Sequence, residues 1–224
     1  MAIPLSSLLA ILAVFVSALV AIVATFLPGR TGRWLHWLFK PLTTLLVFAL
    51  LLPADFRTTF PGMAVAAGLL LSLAGDVFLM LPGDRFLGGL ASFLLAHVAY
   101  VAAFSSGVGL LPHPWVAVPY ALATIAWVPL LWPGLRRRLR MPVVLYSSLL
   151  ALMAAQAGGR ALELGTTASL LGAVGAALFL VSDSLLALDR FRVRFRWAKA
   201  AVLATYWAAQ ALIALSAAGF ARVA

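Results

Sequence analysis

Two aspartates stand where charge is expensive. Asp76 and Asp183 each lie inside a long apolar run of the chain, away from any connector. An ionisable group within a lipid-spanning helix is costly and by default marks function. Two carboxyls close together in a low-dielectric site cannot both ionise cheaply, so one would keep its proton while the other is charged. Such a pair supplies a general acid and a general base together. It would serve equally well as the proton-binding element of a coupled transporter. The residue chemistry leaves both readings open.

Other polar side chains reach similar depths. Lys40 opens one apolar run, Tyr146 lies about a turn into another, and Ser182 precedes Asp183. Lys199, Leu203, Tyr206 and Gln210 recur at three-to-four spacing and so share one helix face. Phe93, His97, Tyr100 and Phe104 do the same on another helix. Each has a plainer role. Tyr146 and Tyr206 could be interfacial aromatics. Lys40 could snorkel to the headgroups. His97 could pack against a hydrogen-bond partner, and Gln210 could simply bridge helices. Ser72 lies four before Asp76, on its face. Gly68, Ser72, Gly172 and Ala176 are small enough to let the third and seventh helices pack closely.

Several chemistries are excluded. Cysteine is absent from the 224 residues, which removes disulfides, thiolate metal sites and cysteine nucleophiles. No Gly-x-Ser-x-Gly or His-Glu-x-x-His pattern occurs, and no Gly-rich phosphate loop. His36, His97 and His113 fall in segments that do not converge, so no metal site is expected. The net charge of +10 does not point to nucleic acid. Its arginines sit in short connectors between apolar blocks, where they face lipid phosphates.

The elements that must position these residues are membrane helices. Mean hydropathy is +1.11, and only 10% of residues are charged against 65% hydrophobic. The apolar blocks are long enough to cross a bilayer, at about 20 residues each. The fold class expected is therefore an all-α integral membrane protein of eight transmembrane helices. Their approximate ranges are 4–27, 38–53, 61–82, 86–106, 113–132, 141–158, 166–188 and 198–220. Pro and Gly punctuate the ends, as at Pro28-Gly29, Pro53, Pro82-Gly83, Pro133-Gly134 and Gly158-Gly159. No charge precedes Arg30, so the first block reads as a retained helix instead of a cleaved signal.

Arg30, Arg33, Lys40, Arg85, Arg136 to Arg140 and Arg190 to Lys199 fall in or beside odd-numbered connectors. Even-numbered connectors hold only Arg57 and Arg160. Odd connectors are therefore placed in the cytoplasm and both termini outside. On these helix ends both aspartates would lie roughly 8–9 Å beneath the cytoplasmic boundary, at 1.5 Å per residue. A location in the bacterial inner membrane follows, with the site toward the cytoplasm.

The chain reads as one transmembrane domain, 1–224, with an internal echo. Gly75-Asp76-Val77-Phe78-Leu79-Met80-Leu81 followed by Asp84-Arg85-Phe86 matches Ser182-Asp183-Ser184-Leu185-Leu186-Ala187-Leu188 followed by Asp189-Arg190-Phe191. Lys40-Pro41 is echoed by Met141-Pro142. A parallel four-plus-four repeat, with halves 1–110 and 111–224, would produce this. So would coincidence among Leu-rich helices.

The run from Gly75 to Leu81, the run Phe86-Leu87-Gly88-Gly89 through His97-Val98-Ala99-Tyr100, Lys40-Pro41-Leu42-Thr43-Thr44 and Ser182-Asp183-Ser184 together resemble the YhhN-like family of membrane proteins. That family includes the lysoplasmalogenases. The resemblance extends from the second helix to Tyr206 and Gln210. It implies eight helices and hydrolysis of the vinyl ether bond of lysoplasmalogens, giving a fatty aldehyde and a glycerophospho-base, with no cofactor. Asp76 and Asp183 would then be the catalytic carboxyls. Lys40, Tyr146, Tyr206, Gln210, His97, Tyr100 and Ser182 would line the lipid site, with Lys40 at the phosphate. The partners expected are a lysophospholipid and membrane lipids; oligomeric state is not legible.

Overall fold

Punctuation in the sequence becomes helix ends in the computed structural model, which describes residues 5–52 and 56–222. Thr59 caps α3 (Phe60–Met80): its hydroxyl accepts the Gly62 N–H at 3.2 Å, and Pro61 occupies the first turn, where a missing N–H does no harm. Thr166 and Ser169 form a reciprocal capping box at the start of α7 (Thr167–Phe191). α6 (Arg137–Leu164) stops at Gly165, whose φ of +58° suits a residue without Cβ. The other helices are α1 (Leu5–Ala24), α2 (Gly29–Ala49), α4 (Phe86–Ser105), α5 (Ala117–Leu131) and α8 (Ala198–Ser216). With four short 3-10 turns they make up all the regular structure among the described residues, with no strand.

Two helices open earlier than expected. α2 begins at Gly29 instead of near 38, and α6 at Arg137 instead of near 141. Arg30, Arg33 and His36 therefore belong to α2 and not to a connector. Pro41 and Pro142 lie inside these helices instead of opening them. Arginine is a good helix former, so a basic run can extend a helix although it ends an apolar block. Gly158-Gly159 also fails to stop α6. A Cβ at Gly158 would lie 3.1 Å from Val116, and one at Gly159 would lie 3.3 Å from Pro112, so this pair admits a neighbouring loop. The expected start of the first helix at residue 4 and the stop at Pro53 lie outside the described residues.

Seven helices among the described residues are long and apolar enough to cross a membrane: α1, α3, α4, α6, α7, α8, and α5 with its flanking turns. α2 is not one of them; Arg30, Arg33 and Lys40 interrupt its apolar character. Large apolar side chains such as Leu9, Phe15, Leu122, Ile125 and Leu170 are exposed on the outer surface, as a bilayer allows.

The tightest packing joins α3 to α4 and α7 to α8. A Cβ at Gly68 would stand 2.3 Å from the Tyr100 ring, and one at Gly75 would stand 2.6 Å from the Phe93 ring. On α7, a Cβ at Gly175 would stand 2.9 Å from the Ala209 carbonyl of α8. The small residues expected to bring the third and seventh helices together thus serve other pairs. Gly68 admits α4, while Gly172 faces Phe104 and Ser216. At the end of the bundle remote from the aspartates, Gln156 accepts from Leu111 N–H at 2.6 Å and donates to the carbonyls of Gly109 and Phe104 at 2.9 and 3.1 Å. Arg160, expected in a connector, is buried in α6, where it donates to the Ser106 carbonyl and lies over Phe220.

Candidate active site

Asp76 lies one turn before the end of α3 and is 2% exposed. Its Oδ1 is 3.2 Å from Lys40 Nζ, and its Oδ2 accepts from Thr44 at 2.8 Å and from Tyr206 at 2.9 Å. Trp207 donates to the Thr44 hydroxyl at 3.3 Å. α2 supplies Lys40 and Thr44 because they are four apart and share a face. α8 supplies Tyr206 and Trp207. A buried carboxylate needs this density of donors to repay its lost hydration. Lys40, expected at the lipid phosphate, is buried and committed to Asp76.

Asp183 is differently placed. The Tyr146 hydroxyl of α6 donates to it, and among the described residues no cation pairs with it. It opens into a small cavity of about 70 Å³ between α3, α4, α5, α6 and α7. The walls are mainly apolar, with Phe93, Trp127, Leu150 and Leu180 among them, and the polar groups facing inward are Asp183, Tyr146, Ser147 and Ser184. Asp76 is not among the lining residues. It connects to the wall through Tyr206, whose ring meets Phe93 edge-on at 5.8 Å.

An aromatic cluster joins the two carboxyls. Phe179 of α7 is fully buried, with its ring 5.5 Å from Tyr206, 4.8 Å from His97 and 6.2 Å from Phe93. The His97 ring lies 5.0 Å from Tyr146. Both His97 nitrogens lack a hydrogen-bond partner among the described residues, as do Ser72 Oγ and Gln210 Nε2. The Gln210 Oε1 accepts from Tyr100 at 2.6 Å. Ser182 is turned away: its hydroxyl donates to the Val202 carbonyl of α8 at 3.1 Å. Thus Lys40, Tyr206, Tyr146 and both aspartates each join a carboxyl cluster, His97, Tyr100 and Gln210 form the layer beside them, and Ser182 ties α7 to α8.

Sequence reasoning missed Phe179, Trp127 and Thr44 as parts of the site. Phe179 could have been found, since it precedes Asp183 by four on the same face. Trp127 is harder to find, because its helix carries no charged residue to fix which face looks inward. The described residues hold no cluster of His, Cys, Asp and Glu suited to a metal ion.

Comparison with known proteins places the chain among integral membrane proteins. Residues 35–217 match the model of the YhhN family. The chain is 31% identical over 210 residues to the uncharacterized membrane protein YhhN of Escherichia coli O157:H7, covering 92% of this chain and 96% of that one. It is 30% identical over 218 residues to lysoplasmalogenase TMEM86A of Bos taurus, covering 92% and 88%. It is 32% identical over 209 residues to lysoplasmalogenase TMEM86B of Mus musculus, covering 92% and 85%. No solved structure matches.

Proposed function

The chain belongs to the YhhN family, and on that premise we propose that it hydrolyses the vinyl ether bond of lysoplasmalogens. The observation that carries this reading is Asp183: a carboxyl held by a tyrosine hydroxyl at the wall of an otherwise apolar cavity, in a helix long enough to span a bilayer. A single-chain lipid has one apolar tail and one polar head, and apolar walls of this kind suit the tail.

The steps balance with one water. The Asp183 carboxyl delivers a proton to the outer carbon of the C=C–O unit, and the double-bond electrons form the new C–H bond. The adjacent carbon becomes an oxocarbenium ion. Water adds there and returns a proton to Asp183. The hemiacetal then passes its hydroxyl proton to the ether oxygen as that C–O bond breaks, releasing the fatty aldehyde and the glycerophospho-base. A carboxyl meets a similar cation in glycoside cleavage. Tyr146 orients Asp183. The His97 ring packs beside Tyr146 and helps fix its orientation. Asp76, paired with Lys40 and bonded to Tyr206, positions the aromatic wall of the cavity. Asp76 thus acts from behind the wall and Asp183 at the bond.

The helices are read as eight spans with both termini outside, in two parallel halves. In support, Lys40 and Thr44 of α2 hold Asp76 of α3 as Tyr146 of α6 holds Asp183 of α7. The Lys/Arg bias puts the site toward the cytoplasm of a bacterial inner membrane.

The test is aldehyde release from a 1-alkenyl lysophospholipid by the purified protein in heavy water, with the aldehyde trapped as it forms. One deuterium at carbon 2 is expected. No aldehyde, under conditions where a lysoplasmalogenase relative is active, removes this substrate. The competing reading is a proton-coupled carrier using the same aspartates, and it predicts proton-driven uptake into liposomes with the solute unchanged.

A further inference from the structure

We infer that Arg190 holds the phosphate of the lipid head, in the place first expected of Lys40; this deepens the hydrolase reading and rests on it for the identity of the lipid. The nearest cation to Asp76 is spent. Lys40 is buried and paired with a carboxylate, so it has no face to offer a phosphate. Arg190 lies at the protein surface instead. Its guanidinium lies 4.1 Å over the Phe86 ring and 5.8 Å from that of Phe191. Those two rings meet edge-on at 5.5 Å, and both line the cavity that Asp183 enters. Arg190 therefore sits on the outer surface of the cavity's end wall. Its present partner is Asp84, an exposed carboxylate in the turn between α3 and α4. A solvent-exposed pair of this kind contributes little, so a phosphate can displace Asp84.

The spacing fits the lipid. Asp183 and Arg190 are both on α7, seven residues apart, which is two turns on one face and about 10 Å of axial rise. In a lysoplasmalogen five bonds separate the ether oxygen from phosphorus, a span of roughly 6 Å at bond lengths near 1.5 Å. The carbon to be protonated lies two bonds further along, and a hydrogen bond at each end adds the rest. One helix face thus measures the distance from the reacting bond to the head. A guanidinium also presents paired donors to a phosphate, which an ammonium does not. Arg192 and Arg194 follow beyond the helix end and are exposed, which raises the local positive potential.

Binding of unreactive ligands tests this apart from catalysis. The full chain in detergent micelles is titrated with a saturated 1-alkyl lysophospholipid and with 1-alkylglycerol, following tryptophan fluorescence, since Trp127 lines the cavity. The native protein should prefer the phospholipid. Arg190→Gln should weaken phospholipid binding roughly tenfold or more, the worth of a charge-assisted hydrogen bond. It should leave alkylglycerol binding within about twofold, a change too small to reflect a lost charge-assisted contact. Asp84→Asn removes the ion pair and keeps the arginine, so phospholipid binding should hold or tighten. The inference is overturned by equal loss for both ligands in Arg190→Gln, by a matching loss in Asp84→Asn, or by no native preference for the phospholipid. Should the binding pattern hold while no 1-alkenyl lipid yields aldehyde, the phosphate site stands and the hydrolase reading falls.

Discussion

Each aspartate has a partner set that fixes what it can do. Lys40, Thr44 and Tyr206 converge on Asp76, so the cost of its burial is spread over three donors. Lys40→Met leaves that carboxylate buried without its cation and should destabilise the protein by about 3–5 kcal/mol. Adding Asp76→Asn to the same chain should restore most of the loss, because a neutral amide can use the remaining donors; thermal unfolding in detergent measures both. Tyr146→Phe keeps the ring against His97 and removes only the hydroxyl that holds Asp183. It should slow aldehyde release by about ten- to a hundredfold with little change in unfolding temperature. At this scale the sequence was informative because charge inside apolar runs is conspicuous. The partners were less so. Tyr206 reaches Asp76 across 130 positions of chain, and no local spacing announces such a contact.

Helix packing sets the depth at which these groups meet. Gly68 and Gly75 bring α3 onto the rings of Tyr100 and Phe93, and Phe93 is part of the cavity wall. Gly68→Ala should cost about 1–3 kcal/mol through overpacking, since the atom it meets belongs to a fully buried ring that cannot move aside. Loss of the Tyr100–Gln210 bond should accompany it. Apolar periodicity was enough to locate α3, α4, α7 and α8 to within a few residues. It failed at α2 and α6, whose first turns are basic, and at Gly158-Gly159, which reads as a stop but packs against Val116 and Pro112. Hydropathy detects contact with lipid, whereas helix ends are fixed by hydrogen bonding, and the two part company where a helix emerges into the headgroups.

At the scale of the whole molecule, the proposed eight-span topology can be tested because the chain has no cysteine of its own. Single substitutions can be labelled with a membrane-impermeant maleimide in intact cells. Arg57→Cys should react from outside, and Arg30→Cys and Arg194→Cys only after the membrane is opened. Labelling of Arg30→Cys and Arg57→Cys from the same face would remove α2 as a span and leave the seven helices whose composition suffices.

The most direct measurement is the single-turnover rate of aldehyde release from a 1-alkenyl lysophospholipid by the native protein and by Asp183→Asn, purified side by side and matched in unfolding temperature. If the carboxyl at the cavity wall protonates the vinyl ether, the asparagine variant should be slower by about a thousandfold, within the range for loss of a general acid. A variant that releases aldehyde at the native rate would contradict the assignment, and would mean that the proton comes from another group.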